Sequence, residues 1–493
     1  MKKLLSIAIA VIMLCACAPT AFAESGVMTK RIEFNNPGFI RGMDISSVIS
    51  LEKSGVRFYT KNGQEDIFKI LSDNGVNYIR VRVWNDPYDS EGNGYGGGNN
   101  DLNAACEIGR RAAERNMKLL VDFHYSDFWA DPGKQKAPKA WQGISLNDKK
   151  TALYNFTYNS LREIKSAGAD IGMVQIGNET TGGICGEYNR ANMAELFKSG
   201  SKAVRDFDSH ILAAIHFTNP ERTDSIKSLA DYLAEYQVDY DVFATSYYPY
   251  WHGSLENLTD VLDYAAEKYD KYAMVAETSY ANTLEDTDGH GNTVAKGNND
   301  SGKNLLWDFS CQGQSDAVAA VMNAVNKVKN KKGLGVFYWE GAWISVGDVT
   351  GLDESGYNDR YKLNSELWEK FGSGWASSYS SDYDPDDAGH WYGGSAVDNQ
   401  AFFDAKGMVL PSLDVFRLIN KTVKIGDVKR DGRLNISDAT LIRKYLAKIS
   451  DLDSESLRAA DTDRDGIVTV KDAAVIQKNL ADIPVGHKIG SEE

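Results

Sequence analysis

A chain of 493 residues is too long for one minimal core and suits one large barrel with a small module attached. Its net charge of −15, which becomes −17 once Lys2 and Lys3 are removed, repels phosphate backbones and anionic membranes. Nucleic acid and membrane are therefore excluded as expected partners.

The first element is a processing segment. Lys2 and Lys3 precede an apolar run over residues 4–14, and Ala21-Phe22-Ala23 forms a small-x-small cleavage site, so residues 1–23 read as a signal peptide and the mature protein as exported. A lipid anchor on Cys17 is the alternative, although Leu14-Cys15-Ala16 makes a poor lipobox. The apolar run is too short to span a bilayer comfortably, and no later stretch is long enough. Three cysteines remain, Cys106, Cys185 and Cys311. An exported chain permits a disulfide, but an odd count leaves at least one thiol over in a monomer, and the spacing fits no metal site. Small buried apolar side chains are their default reading.

From Phe39 to about Leu418 short apolar runs alternate with longer amphipathic ones. The predicted strands, in order, are FIRGMDISS, YIRVRVW, KLLVDFHY, IGMVQIGNE, HILAAIHF, DVFATSYY, YAMVAETSY and GLGVFYWEG. Helical runs such as QEDIFKILSDNG, DLNAACEIGRRAAERN and SDAVAAVMNAVNKVKN lie between them, apolar at three- and four-residue spacing. Eight such units predict an α/β fold, a (β/α)8 TIM barrel over residues 38–419 with several enlarged loops. A doubly wound open sheet is the runner-up, weakened because no glycine-rich phosphate loop follows the first strand.

In such a barrel the loops after the strand C-termini build the active site. The predicted strands end on Asp44; Arg80 and Arg82; Asp122, His124 and Tyr125; Asn178 and Glu179; His216; Tyr247 and Tyr248; Glu277; and Trp339 with Glu340. Glu179 after strand four and Glu277 after strand seven would face each other across one mouth. Two carboxylates so placed can cleave a glycosidic bond, one protonating the leaving oxygen and the other attacking the anomeric carbon, with net retention at a separation of about 5–5.5 Å. Glu179 would then hold its proton near neutral pH while Glu277 stays ionised, aided by a cation such as Arg82 and a tyrosine hydroxyl. Taken singly, His124 reads equally as a structural histidine, Arg80 or Arg82 as an ion-pair partner, and Trp339 as core.

The runs RGMDISS, YIRVRVWNDP, LLVDFHYSDFWADP, VQIGNE, SYYPYWHG, VAETSY and VFYWEGAW resemble those of glycoside hydrolase family 53, the endo-β-1,4-galactanases, from about residue 38 to 419. DFHYSDFWADP and QIGNE are the most specific pieces. The resemblance implies Glu179 as acid/base, Glu277 as nucleophile and Asn178 as the ligand of the sugar 2-hydroxyl. Arg82, His124 and Trp339 fall on the clan's positions in strands two, three and eight, and Asp122 joins them as a candidate substrate-binding residue. The clan tyrosine of strand six is Tyr248 or Tyr247. Trp339 would be a flat platform for a pyranose face, and Trp84, Trp129, Trp251 and Trp343 are either further platforms or packing. A hydrolase of another β-1,4 glycan is the alternative within enzymes, because the loops choose the sugar. A barrel that binds carbohydrate without turnover is the alternative outside them.

After strand seven, D-T-D-G-H-G-N sets Asp286, Asp288, His290 and Asn292 at alternate positions, hard oxygen ligands suited to Ca²⁺ apart from the histidine. Similar residues in bacterial family 53 members resemble a structural calcium site, and the matching completion here would be Ser395 and Asp398. A polar loop without an ion is the plain reading.

From Gly426 a repeat appears, DVKRDGRLNISDATLIRKYLAKI and DTDRDGIVTVKDAAVIQKNLADI, offset by 34 residues between Asp427 and Asp461. Each copy has the loop of an EF-hand followed by one helix, with Leu441, Ile442, Tyr445, Leu446 and Ile449 marking the first helix's apolar face. The candidate ligands are Asp427, Asp431, Asn435 and Asp438 in the first copy, where Lys429 replaces an oxygen, and Asp461, Asp463, Asp465, Thr469 and Asp472 in the second. The pair resembles a type I dockerin over 426–483, an all-α module implying a cohesin on a cellulosome scaffold as partner, with 484–493 as a tail. A plain calcium-buffering pair is the alternative. The whole is expected to be a secreted, monomeric catalytic unit acting on pectic galactan.

Overall fold

The computed structural model describes residues 26–295 and 305–492. The expected signal peptide at 1–23 lies outside them.

Eight parallel strands close into a barrel in sequential order: β1 (Ile40–Asp44), β2 (Tyr78–Val83), β3 (Lys118–Phe123), β4 (Ile171–Ile176), β5 (Leu212–Phe217), β6 (Val242–Ser246), β7 (Tyr272–Thr278) and β8 (Gly333–Tyr338). All eight predicted strands are present. The main helices between them are α1 (Ile67–Asp73), α2 (Leu102–Ala113), α3 (Leu146–Ser166), α4 (Arg190–Phe207), α5 (Thr223–Glu235), α6 (Leu255–Tyr269) and α7 (Cys311–Asn326), with a short extra helix at Val48–Lys53. Most start at a side chain that caps the first free amides, as Asp66, Asp101, Ser145, Asn189 and Ser310 do. After β8 the chain carries α8 (Glu354–Phe371) in its long loop and closes with α9 (Val415–Leu418).

The strand period of two divides the core. Ile40, Leu120, Met173, Ala214, Ala244, Met274 and Phe337 fill the barrel interior, while Leu119, Val121 and Ile215 face the helices in a larger outer cluster. The inward rows continue upward from apolar into polar residues, Leu120 to Asp122 and Ala214 to His216, so the mouth stands on the same side chains' register. No two of Cys106, Cys185 and Cys311 are joined by a disulfide.

The C-terminal module packs α10 (Ile436–Leu446) against α12 (Val470–Leu480), with α11 (Ser454–Ala460) between them in sequence, around Val428, Ile442, Leu457 and Ile476. Two features depart from expectation. Ile449 is exposed rather than on the packed face, because α10 ends before it. The expected tail returns to the module: Ile425 N–H donates to Ser491 O at 3.1 Å and Gly490 N–H to Ile425 O at 2.7 Å, while Ile489 packs on the module core.

Residues 26–35 run between the two modules. Gly26 N–H donates to Leu452 O and Val27 N–H to Ser454 Oγ, both at 2.9 Å, on the module side. On the barrel side Met28 exchanges two hydrogen bonds of 2.8 Å with the Gln312 amide of α7. Glu455 of α11 meets Arg417 of α9 at 3.0 Å and Lys421 at 2.9 Å, so the short connection at 420–425 leaves the modules in contact.

Candidate active site

Glu179 follows β4 through Gly177, whose φ of 84° sits in the left-handed region that favours glycine, and Glu179 itself has φ 45°. The tight turn lifts its carboxylate into the mouth, where Ser246 Oγ donates to Oε1 at 2.6 Å. Burial and the neighbouring Glu277 push this carboxyl up to about 8.

Glu277 reaches the same cleft by a different device. Thr245 pairs with Val275 but Ser246 with Glu277, and Val336 pairs with Val275 but Tyr338 with Thr278, so β7 carries one extra residue against both neighbours. Met274 and Ala276 face the interior, and this bulge turns the adjacent Glu277 inward as well. Arg80 Nη2 donates to its Oε1 at 2.8 Å and Tyr248 OH to its Oε2 at 3.0 Å. Burial raises its carboxyl, and the Arg80 guanidinium and Tyr248 hydroxyl oppose that rise. Of the two strand-six tyrosines Tyr248 is the one against Glu277; the Tyr247 hydroxyl donates instead to Gly253 O at 3.0 Å.

The cation at Glu277 is Arg80, not the expected Arg82. Fully buried Arg80 also bridges Asp44 and Asp122 at 2.8 Å each and donates to Asn178 Oδ1 at 3.0 Å. Arg82 is claimed from the other side, by Glu340 at 2.6 Å and Asp44 at 3.3 Å, with its guanidinium 4.5 Å over the Trp129 ring. Asp122 and His124 lie beneath the cleft rather than lining it. His124 Nε2 meets Asp122 Oδ2 at 3.0 Å, and its Nδ1 accepts from Trp84 Nε1 at 3.1 Å and Ala130 N–H at 3.2 Å. Asn178 is held at both ends of its amide, accepting from Arg80 and donating to Ala130 O at 2.9 Å.

The cleft above has a volume of about 520 Å³ and is lined by Glu179, Glu277, Tyr248 and Trp339. Trp251, Trp343, Trp375 and Gln400 join them. Trp251 is half-exposed there, whereas Trp84 is core and Trp129 stacks between Trp343 and Trp375 at centroid distances of 6.4 and 5.8 Å. Trp375 and Gln400 were not legible, since both come from the long segment after β8 rather than from a strand end.

The acidic loop after β7 also gathers. Carboxylate oxygens of Asp286, Asp288 and Asp398 lie within 4.8 Å of one another, and burial together with Asp398 holds Asp288 well above the usual range. The buried Asn292 Oδ1 has no hydrogen-bond partner, and its Nδ2 donates to Asp398. Among the described residues no lysine or arginine bridges this group. That donor set fits a hard divalent cation. The His290 ring is outside the group, edge-on to Trp368 at 6.3 Å. Ser395 contributes its backbone N–H to Asp288 Oδ2 at 2.8 Å, and its Oγ accepts from Val397 N–H.

In the C-terminal module Asp461, Asp463 and Asp472 converge similarly, and Asp461 Oδ1 is buried without a partner. Asp465 instead accepts from Ile467 N–H at 2.8 Å, and Thr469 caps α12. The first copy is organised differently. Asp427 takes the amides of Asp431 and Gly432, Asn435 and Asp438 form the capping box of α10, and the Lys429 ammonium sits 3.3 Å from Asp431.

Residues 40–416 match the family described as Glycosyl hydrolase family 53. The chain belongs to that family. Residues 425–481 match the Dockerin type I domain. An endo-beta-1,4-galactanase of Bacillus subtilis (strain 168) is 55% identical over 416 residues, covering 82% of this chain and 94% of the relative. An arabinogalactan endo-beta-1,4-galactanase of Cellvibrio japonicus (strain Ueda107) is 32% identical over 343 residues, covering 67% and 87%. The Ignisphaera aggregans GH53 catalytic domain superposes with a TM-score of 0.69 at 36% identity, over 80% of this chain and all of that one. For this family 53 chain the barrel, the paired glutamates and the appended module therefore fall within matched sequence.

Proposed function

We propose that this protein is an endo-β-1,4-galactanase that hydrolyses the galactan side chains of pectin with net retention of anomeric configuration. One observation carries the reading: two glutamates from strands four and seven meet in one aromatic cleft, and only Glu277 has a guanidinium against its carboxylate. Glu277, paired with Arg80 and Tyr248, attacks the anomeric carbon. Glu179, without a cation on its carboxylate and pushed up to about 8, gives its proton to the leaving oxygen and then takes one from the water that opens the glycosyl-enzyme. Asn178 presents an amide fixed by Arg80 and Ala130 to the sugar 2-hydroxyl, and Trp339 offers a face for a pyranose.

Ca²⁺ is the ion that the Asp286, Asp288, Asn292 and Asp398 oxygens would hold, pinning the loop beside the cleft, and a second would sit at Asp461, Asp463 and Asp472. The C-terminal module would seat the enzyme on a cohesin of an extracellular cellulosome scaffold. No helix among the described residues is long and apolar enough to cross a membrane.

Reducing-sugar release from linear galactan, mannan, xylan and cellulose tests the substrate, and NMR of the first-formed anomer tests retention. Release from galactan alone, with the β-anomer first, is the expected result; no turnover on galactan rejects the reading.

A further inference from the structure

The Glu179 side chain is held by a loop of hydrogen bonds that begins and ends on the same residue. Its backbone N–H points at His216 Nδ1, 3.3 Å away. A backbone N–H is only ever a donor and Gln175 Nε2 donates as well, at 2.9 Å, so Nδ1 accepts; its 3.0 Å approach to Asn178 Oδ1, which already accepts from Arg80 and Gln175, is then a contact between two acceptors. Burial and the Arg80 guanidinium hold His216 well below its ordinary value, so the ring is neutral and its one proton is on Nε2. That N–H donates to Ser246 Oγ at 2.9 Å. With its lone pair so engaged, the Ser246 hydroxyl donates its own proton to Glu179 Oε1 at 2.6 Å. His216 and Ser246 are both fully buried.

We propose that His216 and Ser246 are positioning residues that fix which oxygen of Glu179 carries the catalytic proton. Oε1 is always an acceptor in this loop, which leaves Oε2 to carry the proton to the leaving group and to recover it from water. The Ser246 hydroxyl also stabilises the carboxylate that remains after transfer, which makes Glu179 a stronger acid than its burial alone would allow. The inference rests on the reading of Glu179 as acid/base. The other charged or titratable groups facing Glu179 are Glu277, Tyr248 and Asp131, with the Thr218 hydroxyl as a second donor; those facing His216 are Arg80, Asp122 and His124.

The test is the pH profile of kcat/KM on galactan for the full chain and three variants. Ser246→Ala should move the alkaline limb upward by about one pH unit and lower kcat about tenfold, with KM changed less than about twofold. Ser246→Thr, which keeps the hydroxyl, should restore the limb to its original place. Glu179→Gln should abolish the limb in the residual kcat/KM on galactan, while an aryl β-galactoside with a dinitrophenolate leaving group, which needs no protonation, is still attacked. If Ser246→Ala leaves the limb in place while Glu179→Gln removes it, the positioning role is wrong and the acid/base stands. If Glu179→Gln keeps the limb, the acid/base reading itself fails.

Discussion

The barrel mouth and the loop after β7 each bury several carboxylates at close quarters, and they resolve the repulsion in opposite ways. At the mouth the chain supplies its own cation: Arg80 bridges Asp44, Asp122 and Glu277, each at 2.8 Å. In the loop Asp286, Asp288 and Asp398 receive only amides and hydroxyls, and Asn292 Oδ1 is left open. A covalently attached guanidinium cannot exchange, so Glu277 keeps one electrostatic setting whatever the solution supplies. An oxygen cage that drew its cation from solution would be tunable from outside, which would suit a structural role away from the chemistry.

The contrast can be broken in stages. Glu277→Ala should have the largest effect, a loss of roughly 4–8 kcal/mol of transition-state stabilisation seen as turnover on galactan, because covalent catalysis is removed. Activity within tenfold of the parent would contradict the role given to this residue. Arg80→Met should destabilise the fold by about 3–5 kcal/mol in denaturant unfolding, since it strands buried charges with no partner. A chelator should leave that pair untouched yet lower stability by about 2–3 kcal/mol relative to saturating Ca²⁺. Asp288→Asn should remove much of this response, and an undiminished response would place the ion elsewhere.

The smallest change is in pH dependence. Glu179, pushed up to about 8 in the folded state, binds a proton that the unfolded chain has already released at neutral pH. Its contribution is thus complete below the ordinary glutamate range and is lost as pH rises through about 8. Activity should fall over the same upper range. Glu179→Gln should flatten the stability slope between about pH 5 and 8, and a slope identical to the parent would mean that the carboxyl titrates normally.

Much of this was legible in the sequence because strand ends are marked by an abrupt change from Val and Leu to Asp, Arg or Glu. All eight strands and the meeting of Glu179 with Glu277 followed from that. The strand period could not tell Arg80 from Arg82, since both point inward on β2 and only the position of Glu340 decides which is drawn aside. Nor does the period place Glu277, which by strict alternation with Met274 and Ala276 would face the helices; the bulge that corrects it leaves no mark in composition. His216 and Ser246 were visible as strand ends, but a hydrogen-bond loop closing on Glu179 required coordinates. His290 keeps the loop spacing while its ring turns to Trp368, a direction that spacing alone does not give.

The segment 26–35 is made before any other described part of the chain, yet two of its partners, Leu452 and Ser454, are made nearly last. It therefore cannot reach its final place while the polypeptide is still being completed. The barrel can close first, with this strip loose, and the strip settles only when α11 arrives to cover it. Assembly of the two modules is then a late locking event, sensitive to any side chain at position 26, where even an added methyl would collide with the Ser454 backbone at 2.1 Å.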